Sequence, residues 1–194
     1  MKNYLILILL IPLFGCASQG VIVTKNNNNI EKPLYSISIP PDQGWHMRRD
    51  ENDPKAALFV KNLDSVFCLM RFSTNWIIDE RAKTLTAEQI ADDYRNLERQ
   101  DMISRGVITG KYELKDVVFW SEVIEGKKFY IMSYVILRDE SVENASLYLY
   151  FPQDKNISDF VLALYSETHP RNETLTTSAK NEFTETLRSL DVRM

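Results

Sequence analysis

The groups able to do chemistry in this chain of 194 residues are sparse and badly spaced for it. Hydrolytic zinc sites draw two or three His, Cys or carboxylate ligands from set spacings such as HExxH or CxxC. Here His46 follows Trp45 at a turn, His169 precedes Pro170 in a polar segment, and neither motif occurs. Both histidines read as loop side chains. There is no GxSxG elbow, no Gly-rich phosphate loop and no GxGxxG, so the signatures of serine hydrolases, phosphate binders and dinucleotide enzymes are missing. Asp79, Glu80, Glu88, Asp92 and Asp93 cluster on and before an amphipathic stretch, where such a run forms a solvated face and lacks the burial that tunes a general acid or base. Asp50, Glu51, Asn52 and Asp53 lack the Gly and terminal Glu of a calcium loop and read as a surface turn. Cys68, inside the strand-like run SVFCLMRF, has no His or helix terminus nearby and reads as a buried, inert thiol. No catalytic, cofactor-binding or metal residue is expected, and the chain reads as non-enzymatic.

Partner contacts are the better-supplied chemistry. Trp and Tyr are enriched at protein interfaces, and Trp76, in STNWIIDER ahead of a helix, is placed where an exposed ring could anchor a partner. Core packing is the commoner fate for Trp45, Trp76 and Trp120. Arg48 and Arg49 beside Trp45 could meet an anion or a partner, or be a flanking charge pair. The expected contact set is therefore Trp45, Arg48, Arg49 and Trp76. With 44% apolar and 26% charged residues and a formal charge of −4, the chain suits a folded soluble domain and excludes collagen, disorder and a multi-span membrane protein. Its acidic balance argues against nucleic acid.

Strands must position most of these residues. Alternating or apolar runs at 34–39, 55–62, 65–73, 117–124, 129–137 and 147–151 read as strands, with reversals at PDQG and EGKK. The run 159–166, DFVLALYS, reads as a strand or a helix. Within 129–137, Phe129, Ile131, Val135 and Leu137 oppose Tyr130, Met132, Tyr134 and Ile136, so both faces are apolar. A sheet with one wet face would alternate instead, so helices must cover both sides. Two segments have the period. Residues 86–100 open with a capping box, Thr86 with Gln89, and place Ile90, Tyr94 and Leu97 on one face. Residues 178–190 align Ala179, Phe183, Leu187 and Leu190. The fold class is α+β: a central antiparallel sheet with helices on both faces.

The amino terminus reads as an address. Lys2 precedes the apolar run 4–14, whose eleven positions are too few for a spanning helix of about 20 residues but suit a secretory signal. Leu13, Phe14, Gly15 and Cys16 resemble the lipobox of bacterial lipoprotein precursors. The resemblance implies that residues 1–15 are removed and that Cys16 carries diacylglycerol and an N-acyl chain such as palmitate. Multiple acyl chains anchor stably. Ala17 is not the aspartate that marks inner-membrane retention in the enteric pattern, which implies the outer membrane, facing the periplasm. With Cys16 consumed, Cys68 has no disulfide partner. Residues 16–32, with their four-Asn run, read as a lipidated tether of solvated coil spanning about 20 to 25 Å. A single domain is expected over 33–194.

The order of elements carries a second resemblance. Ile39, Pro40, Gly44 and Trp45 ("IP..GW") are followed by paired strands, then by a helix after Thr86, Glu88, Gln89 and Ala91 ("T.EQ.A"). Long hairpins, a "YLYFP" strand and a closing helix with Phe183, Thr186, Leu187, Ser189 and Leu190 complete the pattern. Over 34–192 this resembles the α/β/α sandwiches that include PsbP of photosystem II, the Ran-binding nucleotide-release factor and the envelope lipoprotein DcrB. The resemblance implies a binding or assembly factor without a catalytic centre, and it transfers no functional residue. Two functions are expected to compete: a membrane-anchored module docking another envelope protein, and a small-ligand binder or simple hydrolase on the same scaffold.

Overall fold

Hairpins organise the sheet. In the computed structural model, which describes residues 21–22, 29–40, 44–77, 84–153, 157, 159–173 and 178–193, Glu125 and Gly126 turn at φ 47° and 74°. Two consecutive positive φ values make the tight turn whose twist matches a hairpin, and glycine meets that demand without strain. This turn joins β7 (Glu113–Ile124) to β8 (Lys127–Leu137). A second tight reversal at Asp64 joins β5 (Ala57–Leu63) to β6 (Val66–Trp76). With β1 (Val21–Ile22), β4 (His46–Arg48), β9 (Ser141–Tyr150) and β10 (Asp159–Pro170), they form an antiparallel sheet in the order β1-β4-β5-β6-β10-β9-β8-β7. A small sheet of β2 (Asn29–Glu31), β3 (Tyr35–Ser38) and β11 (Asp191–Val192) sits beside it in the order β11-β3-β2.

The ambiguous run is a strand: β10 pairs with β6 from Asp159 to Thr168 and with β9 from Val161 to Pro170. A central strand buried on both faces reads as an unbroken apolar run, which is why its period was undecided. His46 and His169, expected in loops, both lie in strands. His46 pairs with Val60, and His169 is buried opposite Val142.

Helices close the two faces. α1 (Ala87–Thr109) starts at the Thr86 capping box and is capped by Gly110, its last residue lying nine beyond the expected end at Gln100. Its inward positions step from Ile90 through Tyr94 and Glu98 to Met102 and Gly106. Leu97, expected inward, is 58% exposed because it lies about 100° round the helix from its neighbour Glu98. Gly106 lets the helix approach Tyr112: a Cβ there would stand 2.9 Å from the Tyr112 carbonyl oxygen, and the Tyr112 hydroxyl donates to the Met102 carbonyl at 2.8 Å. α2 (Ser178–Arg188) covers the other face. Its Phe183 ring packs 5.1 Å from Tyr165, 5.2 Å from Tyr148 and 5.9 Å from Phe72.

The small sheet locks onto the α2 side, where the Tyr35 hydroxyl donates to the Phe72 carbonyl at 2.7 Å and Ile30 and Ile37 pack into the core. The expected tether is thereby shortened. Asn29–Glu31 is a strand on β3 and Val21–Ile22 is a strand on β4, so ordered structure begins before residue 33. Ile30 finds apolar cover there, and β3 offers it an unpaired edge. Among the described residues no helix is long and apolar enough to cross a membrane.

Candidate binding surfaces

The expected contact residues separate. Trp45 is 1% exposed, its indole N–H donates to the Glu182 carboxylate, and the Lys61 ammonium lies 5.8 Å from its ring centre and 3.1 Å from Glu182. It is core and hydrogen-bonded and offers no ring to a partner, which corrects the expectation. Strand alternation sends Arg48, one residue past Met47, to the face opposite Met47's packing on the α2-side core. Arg48 is half-buried, with its Nε enclosed and without a hydrogen-bond partner; Arg49 is exposed. Trp76, the last residue of β6, is 64% exposed beside Asp159. Cys16 lies outside the described residues, as do Asp79 and Glu80.

Titratable groups gather in one row across the α2 face. Lys61 pairs with Cys68, Cys68 with Glu167 and Glu167 with Asn144, so four side chains stand side by side on adjacent strands. Burial, reinforced by Glu167 and opposed by Lys61, pushes the Cys68 thiol up to about 11. It is protonated at neutral pH and is no nucleophile. Burial and the hydroxyl's hydrogen bond to Glu167 hold Tyr165 far above the usual phenol range. The His169 ring meets Asn144 at 3.3 Å and the Pro170 carbonyl at 2.8 Å. Each polar group is spent on a neighbour, so the row ties strands together. Among the described residues no three His, Cys, Asp or Glu converge as a metal site.

The acidic turn is also structural. Asp50, expected at the surface, is buried; it accepts the amides of Asn52 and Asp53 at 3.0 and 3.1 Å and holds the Arg71 guanidinium at 2.7 Å. Asp53 holds the same guanidinium at 3.2 Å. Burial alone would raise the Asp50 carboxyl, but the Arg71 bond and charge and the two amides outweigh it and leave it below the usual range. On α1, Glu88, Asp92 and Asp93 are exposed.

What remains open is apolar. α2 has 11 residues, about 16 Å of helix, and ends over β6, β10 and β9. Beyond it, on the edge strand β7, Val118 is 53% and Trp120 37% exposed, with half-buried Val135 beside them on β8. This patch was missed in the sequence, although the apolar doublets Val117-Val118 and Phe119-Trp120 are too rich for a strand with a free edge. A cleft of about 220 Å³ between Leu34, Thr74, Pro152, Asp159 and Val192 is smaller than the roughly 300 to 1,000 Å³ of ordinary ligand sites.

No family model and no curated protein matches the chain. Among solved structures it is similar to a cyanobacterial PsbP (CyanoP) from Synechocystis sp. PCC 6803, at 15% identity and TM-score 0.46 over 94% of this chain and 99% of that one. It is similar to LpqN, described as involved in cell envelope biogenesis of Mycobacterium tuberculosis, at 8% identity and TM-score 0.45 over 90% of both chains. A third similar structure, from Bacteroides thetaiotaomicron, has 14% identity and TM-score 0.45 over 82% of this chain, which spans only 45% of that protein's length. The chain itself is an α+β sandwich, an antiparallel sheet with a helix on each face.

Proposed function

We propose that the protein is a lipid-anchored module of the bacterial envelope that docks another envelope protein and carries out no catalysis. The observation behind this reading is the leader: Lys2, the apolar run 4–14, then Leu13-Phe14-Gly15-Cys16. Acyl chains on Cys16 hold the domain at a membrane surface, and Ala17 in place of aspartate, by resemblance to the enteric pattern, supports the outer membrane, facing the periplasm. The docking half draws support from Val118 and Trp120, an apolar patch left open on an edge strand. The spent polar row weighs against a hydrolase on the α2 face.

The test is metabolic labelling with an alkynyl palmitate, combined with a photocrosslinking residue at Val118 in intact cells. Label on the full chain and none on Cys16→Ala, with one envelope protein captured from position 118 and lost in Trp120→Glu, is the expected result. An unlabelled Cys16 removes the anchor. A labelled chain with no capture removes the docking partner.

A further inference from the structure

The first strand fixes where the anchor leaves the fold. Val21 pairs with Met47 and Ile22 with His46 in antiparallel register, so Val21 is the member of the pair nearer the Arg48 end of β4. Five Cα steps separate Cys16 from Val21, a reach of at most about 18 Å. A lipid on Cys16 therefore holds that one corner of the sheet close to the headgroups.

That corner has the chemistry for them. Arg48 and Arg49 close β4, and Lys55 precedes β5, whose Leu58 pairs with Arg48. Lys32 joins them, its ammonium 3.5 Å from the Pro54 carbonyl. Of the acids in the turn, Asp50 and Asp53 are bound to Arg71 and Glu51 is exposed, which leaves the cations in excess. Trp76 projects from the same end: the register sets Phe72 against Ala57, and β6 then runs four residues further in the same direction. A cluster of four cations with an exposed indole on a chain of net charge −4 is the composition that anionic lipid surfaces recruit, and indole rings settle at the headgroup level. β7 stands at the other edge of the sheet, seven strand spacings or about 33 Å away.

We propose that the corner formed by Lys32, Arg48, Arg49, Lys55 and Trp76 is a membrane-docking surface that binds anionic phospholipid headgroups and sets the domain upright on the bilayer. The proposal rests on acylation of Cys16. Its test uses the full-length lipoprotein, with acylation of the Cys16 peptide checked by mass. The protein is reconstituted into phosphatidylethanolamine vesicles with or without phosphatidylglycerol.

Fluorophores at Glu51→Cys, Asp64→Cys and Glu113→Cys report energy transfer to a headgroup acceptor. Transfer is expected to fall in that order on anionic vesicles, and the order is expected to flatten in Arg49→Glu/Lys55→Glu, a variant of two exposed residues. Tryptophan emission should shift to the blue on anionic vesicles and cease to do so in Trp76→Phe. Equal or reversed transfer in an acylated protein overturns the docking surface and leaves the anchor standing. An unacylated Cys16 overturns both.

Discussion

On one face of the eight-stranded sheet a 23-residue helix crosses β7 and β8, while on the other an 11-residue helix stops over β10 and its neighbours. The long helix packs on its face through spaced small and large side chains, Ala87, Ile90, Ala91 and Met102, and stacks Arg95 5.0 Å over Phe119 at the sheet edge. The short helix concentrates its contacts in Phe183 and Leu187, borrows the small sheet for the rest, and leaves Val118 and Trp120 uncovered. Along β7 the long helix therefore covers Phe119 but leaves Val123 on the same face 65% exposed, while the short helix leaves Val118 and Trp120 open on the other.

The contrast can be broken most sharply at Phe183. Phe183→Ala should cost about 3 to 5 kcal/mol in urea unfolding, because three aromatic neighbours lose one ring. A smaller loss for Phe183→Ala than for Met102→Ala would remove the claim that α2 depends on one anchor. Next comes Glu182→Ala, which takes the carboxylate from buried Lys61 and from the Trp45 indole and should cost about 3 kcal/mol. The double variant Lys61→Met/Glu182→Leu should regain most of that stability.

Gly106→Ala sharpens the other side. A Cβ 2.9 Å from backbone should push α1 off Tyr112 and cost about 1 to 3 kcal/mol. A neutral result would mean that the helix end moves freely.

Two carboxylates should give opposite pH slopes. Burial, opposed by Arg105, holds Glu98 above the usual glutamate range. The folded form holds the proton more tightly than the unfolded chain does, so its contribution is full in acid and declines as pH rises past that range. Asp50 is held below its usual range, so its contribution is full at neutral pH and is lost as acid protonates it. Urea midpoints measured against pH should lose their decline just above the usual glutamate range in Glu98→Gln. In Asp50→Asn they should fall at neutral pH and match the parent in strong acid. The smallest effect belongs to Trp120→Ala, with a stability change within about 1 kcal/mol alongside loss of the Val118 crosslink. A large destabilisation there would make Trp120 a core residue.

Much of the architecture was legible because burial on two faces writes itself into composition, as in 129–137, and because Thr86 and Gln89 state a helix start outright. What stayed hidden is non-local. Nothing near Trp45 announces that Glu182, far along the chain, will accept its indole N–H, so core packing and partner contact stood as rival readings of a ring that is core. Residues 46–48 make a strand only because β5 lies beside them, and their polar sequence gives no period of its own. Edge and centre are likewise set by register: 117–124 and 159–166 are similarly apolar, yet one borders solvent and the other runs through the middle of the sheet.

That middle strand also sets an order of assembly. β5–β6 and β7–β8–β9 close through short turns, but β10 alone joins the two groups, and it emerges after both. Until Asp159–Pro170 is inserted, the N-terminal strands and the later meander have complete local pairing and no common sheet. Non-local closure of this kind is slow. A chain cut before residue 159 should collect as paired hairpins with bare edges, prone to join their counterparts in neighbouring chains.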